Sequence, residues 1–110
     1  MSTHILRGKY SPSAFQGMLA SPSDRGEGAK SIAKVVGAKM TDAFFSVTNG
    51  DAVVLLEATA EQMAGLQMIC MASGSFLSVT VEELISTKVQ TVAMKTAGLK
   101  AGKYKPPNKK

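Results

Sequence analysis

The chain has 110 residues and a mass of 11.5 kDa, room for one domain with a single two-layer core. Hydrophobic residues make up 45% and charged residues 19%, which excludes wholesale disorder; no apolar run is longer than Ala52-Val53-Val54-Leu55-Leu56, which falls far short of the roughly 20 residues that span a bilayer. The net charge of +5 is uneven, because six lysines fall in the last 16 positions while residues 1–94 hold 7 basic and 8 acidic side chains.

His4 to Tyr10 reads as a first strand. Ser11-Pro12 follows as an N-cap with proline at the first helical position, and Phe15, Met18 and Leu19 give a helical stripe. Ser21-Pro22 repeats the start signal with Asp24 in the first turn, and Ala29, Ile32, Ala33 and Val36 lead to Gly37 as a stop. Residues 12–37 are thus one helical region, broken near Ser21-Pro22. Lys39 to Val47 and Ala52 to Ala58 are strands joined by Thr48-Asn49-Gly50-Asp51, where Asn-Gly predicts a type I′ turn. Thr59 and Gln62 form a capping box for a helix whose stripe is Met63, Leu66, Ile69 and Cys70. Ser75 to Val81 is a fourth strand, and Glu82 to Lys95 is predicted as a last helix opened by two acids. The folded domain is expected over 1–96, with 97–110 a basic flexible tail containing Gly98, Gly102 and Pro106-Pro107.

The order β-α-β-β-α-β, followed by a helix, is the ferredoxin-like arrangement: an α+β fold with a four-stranded antiparallel sheet and both main helices on one face. Side chains alternate across a strand, yet Ile5 and Leu6, Phe44 and Phe45, and Phe76 and Leu77 are adjacent apolar pairs. Both sheet faces are therefore apolar, and the helices cover only one. A second copy of the chain is the economical cover; the rival is the last helix folded back as a monomer.

No metal site or cofactor is expected, because one His and one Cys do not make a ligand set. His4 reads as a strand-edge residue and Cys70 as a packed thiol, with Met63, Met68 and Met71 filling gaps around it. The lone cysteine and the absence of an apolar leader point to a cytoplasmic protein. The polar residues that stand out are Arg7, Lys9, Tyr10, Asp42, Glu57 and Glu82, with Asp51 at the hairpin. A charge set among apolar strand neighbours needs solvent, a partner charge or a ligand. Arg7, Lys9, Tyr10, Asp42, Asp51 and Glu57 are accordingly the ligand-binding candidates, and cross-strand or inter-subunit ion pairing is the competing reading.

Tyr10-Ser11 at the end of strand one, Arg25 after the Ser-Pro stretch, the helix end before Gly37, Asn49-Gly50-Asp51 at the middle hairpin and Glu57-Ala58 closing strand three occur together in an order that resembles the GYD domain family. The family's Gly-Tyr-Asp reads Asn-Gly-Asp here, and its Pro-Asp after Glu-Ala reads Thr59-Ala60. The resemblance covers about residues 4–86. It implies a small bacterial protein, a homodimer of the α+β-barrel group and no established activity. The expected function is accordingly a homodimer binding a small ligand in the barrel. One alternative is a cofactor-independent enzyme of that barrel group, with Tyr10, Arg7 or Asp42 moving protons. The other is a nucleic-acid or partner-binding module acting through the basic tail. Contact with nucleic acid is expected to be weak and confined to the tail, and no membrane partner is expected.

Overall fold

A computed structural model describes residues 1–107; the last three positions of the expected tail, 108–110, lie outside the described residues. Strand β1 (Ser2–Tyr10), helices α1 (Pro12–Ala20) and α2 (Arg25–Val36), strands β2 (Lys39–Ser46) and β3 (Asp51–Ala58), helix α3 (Ala60–Ala72), strand β4 (Phe76–Leu84) and helix α4 (Thr87–Lys100) follow in order, with a 3-10 turn over Ala101–Lys103. The sheet order is β2-β3-β1-β4, all antiparallel. This is the expected ferredoxin-like α+β fold, and β1 is a central strand.

Local chemistry sets the boundaries. Ser11 Oγ accepts from Ala14 N at 3.2 Å, with Pro12 at the first helical position, and the Ser11 backbone amide donates to Ser75 O at 2.9 Å, tying α1 to the start of β4. The break between α1 and α2 falls where proline predicts it. The second helix, however, starts three residues after Ser21-Pro22, because the Asp24 carboxylate is its cap and accepts from Gly26 N at 2.8 Å. Gly37 closes α2 at φ +82°, a conformation that side chains with a Cβ resist. The capping box is present: Gln62 N donates to Thr59 Oγ1 at 3.1 Å and Thr59 N donates to Gln62 Oε1 at 2.9 Å. Gln62 Nε2 also donates to Gly37 O at 3.1 Å, joining the end of α2 to the start of α3.

Even-numbered residues of β1 face the helices. His4, Leu6 and Gly8 are buried there with Val54, Leu56 and Ala58 of β3 and Val79 of β4, against Ala33, Met63, Leu66 and Cys70 of the helices. His4 is therefore a buried central-strand residue, 3% exposed, whose Nδ1 lies 3.1 Å from Ser2 O, and not an edge residue. Of the predicted α3 stripe, Met63, Leu66 and Cys70 are buried, whereas Ile69 and also Met68 and Met71 are exposed. That helix covers the sheet along one narrow line, so residues a turn away face outward.

Two predicted features differ in the structure. The hairpin is a four-residue loop, 47–50, with Gly50 N donating to Ser46 O at 2.6 Å. Gly50 is at φ +71° while Asn49 has ordinary negative φ, so the turn is not type I′. The cause is the register: Ser46 pairs with Asp51, which leaves four residues between the strands. Gly50→Val is still expected to cost about 1 kcal/mol or more, because a β-branched residue resists positive φ. Gly50→Asn is expected to be milder, and thermal melts of the two variants make the comparison. Residues 82–84 extend β4 instead of opening a helix, because Glu82, Glu83 and Leu84 pair with Ile5, His4 and Thr3 of the long β1. The last helix starts at Thr87, capped by Ser86 Oγ, which accepts from Val89 N at 3.2 Å.

α4 crosses the residue-96 boundary expected for the domain. None of its residues is buried, and its contacts are chiefly with the 3-10 turn that follows. Val89, Val92 and Leu99 are exposed. The chain is consequently elongated, with a radius of gyration of 18.3 Å and extents of 62 × 30 × 24 Å, against about 13 Å for a compact body of this length. The last helix does not cover the second sheet face. No helix among the described residues is long and apolar enough to cross a membrane.

Candidate functional site

The space between the sheet and its helices is only partly filled. A cavity of about 760 Å³ lies there, bounded by α1, α2, α3 and the sheet. Its floor is formed by the buried residues Leu6, Val54, Leu56, Leu66 and Cys70, and Ser13, Ser23, Asp24 and Arg25 line it from α1, the α1–α2 link and the start of α2. The cavity exists because α1 packs loosely: no residue of this short helix is buried, and the side it turns to the cavity carries the small Ser13, Ala14 and Gly17 beside Met18.

Tyr10 closes one end. Its ring stacks on Phe76 with centroids 5.1 Å apart and meets Phe15 edge-on at 5.4 Å, the offset and T-shaped contacts that aromatic quadrupoles favour. Phe76 can lie there because Gly8 has no side chain; a Cβ at Gly8 would sit 2.7 Å from the Phe76 ring. Burial pushes the Tyr10 phenol up from its ordinary value, and the nearby Arg25 charge pulls it partly back. Burial likewise pushes up the Cys70 thiol. At neutral pH the cavity therefore holds a neutral phenol and a neutral thiol beside the Arg25 cation. Folding favours the protonated forms of both acids, so the stability they contribute is present below their ordinary values, 9.0 for Cys70 and 10.0 for Tyr10, and is lost as pH rises through the raised values. Melting temperature is expected to fall from about pH 9 upward, and to fall less in Cys70→Ala, in melts between pH 7 and 10.5.

Of the six residues singled out in the sequence, only Tyr10 lines this cavity. Arg7, Lys9, Asp51 and Glu57 alternate onto the opposite face of the sheet. There they find partners: Arg7 pairs with Glu82 at 3.7 Å, Lys9 with Asp51 at 3.3 Å, and Thr3 Oγ1 donates to Glu57 Oε1 at 2.7 Å. These contacts are partly exposed, so each adds little stability. Asp42 sits at a register shift in β2, where its Oδ1 accepts from Ala43 N at 2.9 Å. The bulge explains a mid-strand acid without a ligand. Arg25 was not among the candidates; its signal lay in the shared Tyr10 and Arg25 positions of the family resemblance. Among the described residues no three His, Cys, Asp or Glu side chains converge as a metal site would require.

Fold and cavity together define a class, a small ferredoxin-like α+β protein with an apolar chamber between helices and sheet. The chain belongs to the GYD domain family, whose model matches residues 4–93, nearly the whole of the body and the first part of α4. No curated protein matches it.

Proposed function

We propose that this protein is a homodimeric, cytoplasmic binder of a small hydrophobic molecule, held in the chamber between the helices and the sheet. The observation that carries the reading is the chamber itself, whose volume of about 760 Å³ lies within the usual range of ligand sites, about 300–1,000 Å³. Its lining combines an apolar floor with a few polar groups at one side, the usual make-up of such sites. Binding is favoured over catalysis by a general base because the phenol and the thiol are both held protonated and Asp24 is engaged as a helix cap. The ligand site expected between two facing sheets moves, in this reading, to the helix side of each subunit.

The dimer is supported by surface area. The isolated chain exposes 7871 Å², about 2,000 Å² more than a compact monomer of this mass, whereas a standard interface buries about 800 Å² of each partner. The surplus lies where the sheet face carrying Ile5, Val53 and Leu55 is uncovered and where α4 projects. A second copy laid on that face, with its α4 alongside, removes both.

Nile red, a neutral dye that brightens in apolar surroundings, serves as the probe. Its fluorescence is expected to rise on binding the protein and to lose most of that rise in Gly17→Phe. Gly17 lines the chamber and has open space where a Cβ would stand, so the ring fills the cavity without displacing the core. Equal dye binding by folded Gly17→Phe and the parent chain would show that the dye sits elsewhere and defeat the proposal.

A further inference from the structure

We infer that the chamber's ligand is a hydrophobic monocarboxylate, its carboxylate met by Arg25 and the Tyr10 hydroxyl and its apolar body lying over Leu6, Leu56 and Leu66. This rests on the reading of the chamber as a binding site and adds the chemical class of its occupant.

Charge supplies the argument. Among the described residues, Arg25 and Asp24 are the only charged ones that line the chamber. Asp24 is occupied, since its Oδ1 accepts from Gly26 N at 2.8 Å at the start of α2. Arg25 is not. Among the described residues it has no carboxylate within ion-pair distance, and it donates only to neutral hydroxyls, by a long bond from Nη1 to Ser23 Oγ at 3.4 Å and by one to the Tyr10 oxygen. A guanidinium carries five donors in a planar fork that suits a carboxylate, so most of its capacity is free. The guanidinium lies against Gly28, where a Cβ would come within 2.9 Å of Arg25 Nη2. The Tyr10 hydroxyl, held protonated, is a second donor near the same guanidinium.

The count of charges selects the anion. The Asp24 charge is offset by the positive N-terminal end of α2 that it caps, so the Arg25 cation and one neutral donor are left to match one negative charge. A phosphate dianion would bring a second charge into a mostly apolar chamber, beside Asp24, with nothing to meet it. A ligand amine would face Arg25. The rest of the lining is apolar or small and calls for an aryl or alkyl body.

Displacement of Nile red tests the class. Decanoate and 4-phenylbutanoate are compared with decan-1-ol and 4-phenylbutan-1-ol, of the same bodies without the charge, on the parent chain, on Arg25→Gln and on Arg25→Lys. Arg25 is exposed, so both variants are expected to keep the fold, checked by their melting temperatures. Each acid is expected to displace the dye from the parent chain at about one-tenth the concentration of its alcohol or less, the worth of a charge-assisted hydrogen bond. Arg25→Gln is expected to erase that preference by weakening the acids alone, and Arg25→Lys to keep part of it. Acids and alcohols acting equally on the parent chain, a preference that survives in Arg25→Gln, or no displacement by either acid overturns the carboxylate assignment. Each leaves the chamber reading intact as long as the dye binds and Gly17→Phe blocks it. Failure of the dye itself to bind strikes the chamber reading first and the ligand class with it.

Discussion

Leu55→Asp is expected to convert the protein from a dimer to a folded monomer. Leu55 stands near the middle of the sheet face that the helices do not cover, paired with Ile5 on β1 and beside Asp42 on β2. In an isolated subunit the position is partly open to water, so a carboxylate there keeps its hydration and the fold survives. In a dimer formed through this face the same carboxylate is buried without a partner, at a cost of several kcal/mol. A standard interface cannot absorb that loss when its binding energy is concentrated in a few central residues. Light scattering at micromolar protein is expected to give twice the 11.5 kDa chain mass for the parent and the single chain mass for Leu55→Asp, with the circular dichroism of the two unchanged. A parent chain that is monomeric, or a Leu55→Asp variant that stays dimeric, removes this face as the interface. Phe44 lies on the same face by alternation from Ala43 and is 57% exposed, so Phe44→Asp is expected to act in the same direction. Phe44 and Phe45 both line the chamber, but Phe45 stands opposite Ala52 and falls on the helix side by alternation, so a charge there is expected to disturb ligand binding more than assembly.

Gly8→Ala is expected to destabilise the fold by about 1–3 kcal/mol, the usual cost of overpacking a filled site. Gly8 is buried on β1, and the new methyl would stand 2.7 Å from Phe76 Cε1 and 2.8 Å from Cδ1. The ring is also held by its stack on Tyr10, so moving it disturbs that contact. Relief requires that stack to open, which also shifts Tyr10 against Phe15 and Arg25. The expected result is a melting temperature lower by several degrees for each kcal/mol lost, together with weaker dye binding, since Tyr10 and Phe76 both line the chamber. The mechanism makes a sharper claim about a pair of substitutions. If the clash with the ring is the cause, Gly8→Ala should cost much less in a Phe76→Leu background, a coupling that a double-mutant cycle measures. Additive losses would place the effect elsewhere.

The contrast between Tyr10 and the other residues singled out in the sequence has a physical origin. All were polar side chains in or beside apolar strands, and residue type does not distinguish a charge that meets a ligand from one that meets a neighbouring strand. Pairing register makes the distinction. Lys9 lies opposite Asp51, and Arg7 is flanked by β4, within 3.7 Å of Glu82. Those partners come from segments more than 40 positions away in the chain, so no local pattern announces them. Arg25 was overlooked for the opposite reason. It sits at the first position of an ordinary helix, and its standing beside a cavity, with no carboxylate partner among the described residues, depends on where α1, α3 and the sheet fall around it.

What the amino-acid sequence determined by itself was whatever depends on near neighbours. Short apolar runs bounded by turn and cap residues, with helical spacing between them, established the βαββαβ order. Capping chemistry located Ser11-Pro12, Thr59 with Gln62, and the stop at Gly37, because these bonds join residues a few positions apart. The adjacent apolar pairs already showed that both sheet faces are apolar. Only the tertiary structure decided the extension of β4 through Leu84, where pairing with a long central β1 outweighs the helix signal of two acids. It alone revealed that α4 leaves the body rather than covering the sheet. The same holds for the chamber, which is the volume left when a loosely packed α1, two covering helices and a sheet fail to fill the space between them. A void belongs to no segment of the chain, and so no segment of the sequence encodes it.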